Sequence, residues 1–115
     1  MDNHAPVAVI AEDEAVLREE LQAHLAALWP ELEIRAAVAD GHAAVAALAE
    51  HRPQLLFLDI QMPGLSGIDV ARQANGQCHV VFVTAHDEFA VAAFEQGAVD
   101  YLMKPMSLER LALAI

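Results

Sequence analysis

Three short runs, Val7-Ala8-Val9-Ile10-Ala11, Leu55-Leu56-Phe57-Leu58 and Val80-Val81-Phe82-Val83, constrain the fold most. Each is nearly continuous in apolar residues, and together they are rich in β-branched ones. A strand with one wet face alternates apolar and polar side chains. Runs that do not alternate read as parallel strands buried on both faces. A more mixed stretch, residues 32–38, reads as a further strand, and residues 99–103 as a short last one. Parallel neighbours cannot be joined by a tight hairpin, so each pair needs a long crossover.

The crossovers are legible as helices. Leu17, Leu21, Leu25 and Leu28 share one helix face, and that helix should stop near Trp29 because Pro30 disfavours helical geometry just before it. Asp40-Gly41 opens an alanine-rich helix running to about His51. Ser66-Gly67-Ile68-Asp69 has the form of a capping box with Asp in place of Glu, which starts a third helix. Residues 87–96 make a fourth, with Gly97 placed to end it, and Ser107 caps a last helix of about two turns. Strand then helix, repeated about five times, calls for a parallel sheet with helices on both faces. There is no internal repeat, low-complexity tract or linker.

At 115 residues the chain fits one domain and is long enough to bury a core. Its 57% hydrophobic content comes as short runs and not as a span of about 20 apolar residues, so no membrane helix is expected. The Met1-Asp2-Asn3-His4 start has no basic region leading into an apolar stretch, which argues against a secretory signal. Cys78 is the single cysteine, so an internal disulfide is excluded and a reducing, cytoplasmic setting suits the chain. Seventeen acidic residues against six basic ones give a formal net charge of −11. Such a surface repels a phosphate backbone, so direct nucleic-acid binding by this domain is not expected.

Polar residues stand directly after the apolar strands. Glu12-Asp13-Glu14 follows the first, Asp59 the third, Thr84 the fourth, and Lys104-Pro105 the last. In an open α/β sheet, ligands bind beyond the carboxyl ends of the strands, near the point where strand order reverses. Four sequence-distant segments therefore meet in one crevice. Two carboxylates about 4 Å apart repel by roughly 4 kcal/mol at an effective dielectric of 20, and a divalent cation relieves that repulsion. Hard oxygen ligands suit Mg²⁺. Asp59 could then attack an incoming phosphoryl group as a carboxylate nucleophile, with Lys104 and Thr84 offering positive charge and a hydroxyl donor. Singly, each residue is as readily a cap, a turn former or a surface charge. Their joint placement is what carries the reading.

The chain resembles the receiver domain of two-component response regulators over nearly its whole length. The matching stretches are Val9-Ile10-Ala11-Glu12-Asp13-Glu14, Leu58-Asp59-Ile60-Gln61-Met62-Pro63-Gly64-Leu65-Ser66-Gly67, Val83-Thr84-Ala85 and Asp100-Tyr101-Leu102-Met103-Lys104-Pro105. The resemblance implies a flavodoxin-like three-layer sandwich, with a five-stranded parallel sheet of order 2-1-3-4-5 and helices on both faces. It implies Asp59 as phosphoacceptor. Mg²⁺, with Mn²⁺ as a substitute, would be held by the side chains of Asp13 and Asp59, the backbone carbonyl of Gln61, and Glu12 through water. Thr84, Lys104 and the backbone of Ala85 would hold the phosphoryl group, with Thr84 and Tyr101 as the switch pair. A cis bond between Lys104 and Pro105 would aim the lysine into the site. Gln61 and His86 lie where a residue can influence water access and so the lifetime of the phosphate.

The implied partners are a sensor histidine kinase and a second copy of the domain, meeting through the face of the fourth helix, last strand and last helix. A narrower resemblance rests on Thr84-Ala85-His86-Asp87-Glu88-Phe89-Ala90 and on the stretch from Phe94 to Leu102. These resemble receivers joined to a LytTR-type DNA-binding domain. On that reading, residues 1–115 are the receiver with its last helix truncated, and the effector domain lies beyond Ile115. DNA would be reached only through that domain.

Other features support less. His4, His24, His42, His51, His79 and His86 show no paired ligand spacing, and Trp29 reads as a helix-end packing residue. The alternative to a phosphorylation switch is an interaction module of the same fold that signals without phosphate. A phosphatase with an aspartyl-phosphate intermediate would want an acid two residues after its nucleophile, where this chain has Gln61. A flavin-binding domain would want aromatic-rich loops at the strand ends, which are lacking.

Overall fold

The computed structural model describes residues 6–74, 78–85, 100–104 and 111–112, with only the backbone given for residues 100, 101 and 103. The described elements are β1 (Val7–Ala11), α1 (Ala15–Leu28), β2 (Glu33–Val38), α2 (Gly41–His51), β3 (Leu55–Leu58), α3 (Gly67–Gln73), β4 (His79–Thr84) and β5 (Asp100–Met103). The strands form one sheet in the order β2-β1-β3-β4-β5. All the pairings are parallel. β5 joins at the edge by backbone pairing with β4. The expected fourth helix lies outside the described residues, as does most of the expected last helix, of which Leu111 and Ala112 are helical.

The three apolar runs are buried strands because each supplies both faces of the sheet. Val9 and Ala11 of β1, Leu56 and Leu58 of β3, and Val80 and Phe82 of β4 point into a core shared with Ala44 and Ala47 of α2 and Val70 and Ala71 of α3. The alternate residues Ala8, Ile10, Phe57, Val81 and Val83 enter a second core with Leu21 and Leu25 of α1. Period-two strands with an apolar residue at every position thus need helices above and below. Phe57 and Phe82, both fully buried, fill one core each.

Helix boundaries follow local chemistry. α1 ends at Trp29, whose N–H donates to Leu25 O at 2.8 Å just before Pro30. Trp29 packs against the second core, as a helix-end residue should. α2 starts where Asp40 Oδ1 accepts from the Ala43 N–H at 2.8 Å, satisfying an otherwise free first-turn donor. At α3 the expected capping box forms only by half. Ser66 Oγ accepts from the Asp69 N–H at 3.2 Å, but the Asp69 carboxylate turns to Ser66 Oγ and to Arg72 Nη1. The shorter Asp side chain finds partners on its own helix instead of reaching back to the Ser66 N–H.

β2 is the outer strand beside β1. Its pairing slips between Ala8 and Val9, which face Ile34 and Ala36, so Arg35 is passed over. The exposed Glu33 and Arg35 carry charge along this edge and pair with each other at 3.1 Å, a pattern that discourages edge-to-edge association.

Candidate functional site

The sheet's hydrogen-bond ladder runs past the strand ends and builds the site. Asp59 N–H donates to Ala11 O at 2.9 Å, Glu12 N–H to Val38 O at 2.9 Å, and Lys104 N–H to Thr84 O at 2.9 Å. Each residue is thereby fixed one step beyond its strand, beside the end of a neighbouring one. Asp59, on the central strand, stands next to the residue that follows β1. Lys104 stands next to the last residue of β4.

The side chains converge accordingly. Lys104 Nζ is 2.7 Å from Glu12 Oε1 and 3.0 Å from Asp59 Oδ2, and all three side chains are at most 9% exposed. Glu14 Oε1, more exposed, lies 3.7 Å from the same ammonium. Glu12 is held further by the Glu14 N–H, which donates to Oε2 at 3.0 Å, and Arg18 Nη1 donates to the Glu12 carbonyl at 2.8 Å. Thr84 is fully buried at the end of β4, and Ala85 follows it at the surface.

Burial dominates the electrostatics. It pushes the Glu12 carboxyl up to about 7, with the neighbouring Asp59 charge adding to the rise; Lys104 and the Glu14 N–H oppose it without prevailing. Lys104 goes the other way from a typical buried lysine. Burial disfavours its charge, but hydrogen bonds to Glu12 and Asp59 overcome that and hold its pKa above the usual lysine value. One ammonium thus serves two buried carboxylates.

The donor set fits a hard divalent cation. Ligand oxygens of Glu12, Asp13 and Glu14 lie within 4.8 Å of one another, and this is the one such acidic group among the described residues. Asp59 is not part of it. The ligands are all oxygen, which favours Mg²⁺ over a soft metal. Beside the group an open cleft of about 810 Å³ is lined by residues that include Asp13, Gln61, Met62, Ile68 and Asp69.

The structure therefore brings Glu12, Asp59 and Lys104 into contact, sets Thr84 beside Lys104 by backbone pairing, and lines one cleft with Asp13 and Gln61. The Tyr101 side chain, His86 and the Lys104–Pro105 bond lie outside the described residues. Sequence reasoning put Glu14 in the crevice without a role and gave Arg18 no place there. Glu14 stood in the acidic run, so a signal existed; for Arg18, six residues from Glu12, none did.

The loop after Asp59 is tightly built. Gly64 adopts φ +80°, which favours glycine. Gly67 N–H donates to Ile60 O at 2.7 Å, and a Cβ on Gly67 would overlap the Asp59 carbonyl oxygen. Gly67 is thus there for close approach and not for an unusual backbone angle.

Comparison with known proteins accords with this geometry. The family model described as "Response regulator receiver domain" matches residues 8–115. A response regulatory protein of Vibrio cholerae is 50% identical over 115 residues, covering 97% of this chain and 44% of the relative. The transcriptional regulatory protein BtsR of Escherichia coli is 38% identical, covering 90% of this chain and 44% of its own length. The sensory transduction protein LytT of Oceanobacillus iheyensis is 37% identical, covering 93% and 45% respectively. The chain thus spans less than half the length of these relatives. Among solved structures, the response regulatory domain of mrkE from Klebsiella pneumoniae superposes with a TM-score of 0.89 at 32% identity, covering 94% of this chain and 90% of that one. The parallel sheet and its helices are thus those of a flavodoxin-like receiver fold, and the chain belongs to the response regulator receiver domain family.

Proposed function

We propose that this domain accepts a phosphoryl group on Asp59 from a phosphohistidine of a sensor kinase, and that the modification controls an output domain. The observation that carries the reading is the buried ion-paired cluster in which Lys104 bridges Asp59 and Glu12 at 3.0 and 2.7 Å. The contact keeps a positive charge beside the carboxylate that would receive the phosphoryl group.

In the proposed step an Asp59 carboxylate oxygen attacks phosphorus. An O–P bond forms, the N–P bond to the donor imidazole breaks, and the departing nitrogen takes a proton. Lys104 stays within reach of the phosphoryl oxygens because its ammonium already contacts Asp59. Thr84 offers a hydroxyl from the neighbouring strand end, and Ala85 a backbone N–H. Asp13 and Asp59, with the Gln61 carbonyl and Glu12 through water, would hold Mg²⁺, or Mn²⁺ in its place. Bound there, the ion supplies positive charge to the phosphoryl oxygens. The domain is not an enzyme in the general sense; its catalysis is confined to its own phosphorylation and dephosphorylation.

The added charge of about −1.5 to −2 draws Thr84 toward the phosphate and lets Tyr101 turn inward. The face of the fourth helix, last strand and last helix changes, and dimerisation through it follows. The relatives' greater length and the description of BtsR as a transcriptional regulatory protein support an output domain beyond Ile115; on this proposal that domain is LytTR-type and DNA-binding, and the protein works in the cytoplasm. Among the described residues no helix is long and apolar enough to cross a membrane.

Intact-mass measurement after incubation with acetyl phosphate tests the reading. With Mg²⁺ the protein gains one phosphoryl group, and with a chelator it gains none. No gain under either condition would favour the phosphorylation-independent interaction module.

A further inference from the structure

We infer that Gly41, at the start of α2, is a positioning residue for the loop that carries Gln61 beside Asp59; the inference rests on the function proposed above. Gly41 is far from Asp59 in sequence, and its backbone is in an ordinary helical conformation, because the described residues with positive φ are Arg52 and Gly64. A first-turn residue of a helix would normally be better as almost anything else, since glycine is among the poorest helix formers. Conformation does not explain it. Space does.

A Cβ on Gly41 would overlap the carbonyl oxygen of Leu65 and stand 2.6 Å from the Leu65 Cβ. The obstacle is mostly backbone, which cannot swing away as a side-chain tip can. The Gly41 N–H donates to Pro63 O at 3.1 Å, so the helix start and the loop are also bonded. One residue further along, the His42 ring closes over Gly64, where a Cβ would meet His42 Cδ2 at 2.6 Å. The loop from residue 59 to 66 is therefore fixed twice. Gly67 seats its far end on the Asp59 and Ile60 carbonyls, and the start of α2 seats its middle at Pro63, Gly64 and Leu65.

Gln61 lies between those two anchors and lines the cleft with Asp13. A methyl group at position 41 must push residues 63–65 outward, and the displacement reaches Gln61 through two peptide units. Lys104 and Glu12 stand on other strand ends, and the ion pairs of Lys104 are with Glu12, Glu14 and Asp59. The expected result is a weakened cation site with an intact Lys104–Glu12–Asp59 cluster.

The test compares wild type, Gly41→Ala and Ala46→Gly by calorimetric Mg²⁺ titration without phosphodonor, alongside urea unfolding. Ala46 is exposed on the same helix, so its glycine variant weakens α2 without touching the loop. Gly41→Ala should lose about tenfold in Mg²⁺ affinity, as supporting residues of metal sites typically do, and Ala46→Gly should bind as wild type. Wild-type affinity in a folded Gly41→Ala, or an equal loss in Ala46→Gly, would overturn the inference. A wild type that binds no Mg²⁺ would overturn the functional reading with it. If Gly41→Ala does not fold, Gly64→Ala and the double variant Gly64→Ala/His42→Ala decide. Removing the imidazole should recover part of the affinity lost in Gly64→Ala, and no recovery would overturn the inference.

Discussion

The ammonium of Lys104 lies closer to Glu12, at 2.7 Å, than to Asp59, at 3.0 Å. The lysine is thus held by two acids of which only one is read as the acceptor. A phosphoryl group on Asp59 would add about −1.5 to −2 charge and shift that balance toward Asp59. Glu12 then serves as the lysine's resting partner.

Glu12 should make stability fall as pH rises. Its folded pKa of about 7 exceeds the ordinary 4.5 because burial disfavours the charge. Between those values the folded chain binds more protons than the unfolded one, so the destabilisation sets in across this window and is complete above it. In chelator, Glu12→Gln should match wild type near pH 4.5 and exceed it by roughly 3 kcal/mol near pH 8. Urea unfolding at a series of pH values checks this. A pH-independent difference would contradict it.

Lys104→Met should cost most where both carboxylates are charged. Breaking a buried ion pair from one side costs about 3–5 kcal/mol, because it strands the opposite charge. The Lys104 pKa is raised above 10.5, so its contribution persists below that value and is lost only as pH climbs through the raised one. Near pH 8 the variant should lose about 3 kcal/mol, and near pH 5, with Glu12 protonated, about 1 kcal/mol less. Denaturation at the two pH values is the measurement. Equal losses would mean that Glu12 is not the partner the geometry indicates.

Asp40→Ala should destabilise by about 1 kcal/mol through loss of the α2 cap, and Asp40→Asn should retain most of it. The Asp40 Oδ1 contact to Ala43 N–H at 2.8 Å is the basis. Thermal unfolding of the three proteins checks this, and equal midpoints for Asp40→Ala and wild type would contradict it.

Much of this was legible in the sequence, for identifiable reasons. β1 and β3 have the bounds their apolar runs gave, because a strand buried on both faces leaves no polar residue to blur its ends. α2 runs from Gly41 to His51 as read, with Asp40 capping it. The meeting of Glu12, Asp59 and Lys104 followed from placing polar residues after strands. The order of contacts within the cluster did not. Which acid lies nearer Lys104 depends on side-chain geometry set by burial, and Glu14's reach to the lysine depends on the turn into α1. Gly41 read as an ordinary helix start, because a close approach between segments distant in sequence leaves no local mark.

The central claim is that Asp59 is the residue modified. Wild type and Asp59→Asn, each incubated with Mg²⁺ and acetyl phosphate and followed by intact mass, test it most directly. Wild type should gain one phosphoryl group and Asp59→Asn none, with both folded. Equal modification of Asp59→Asn would contradict the account.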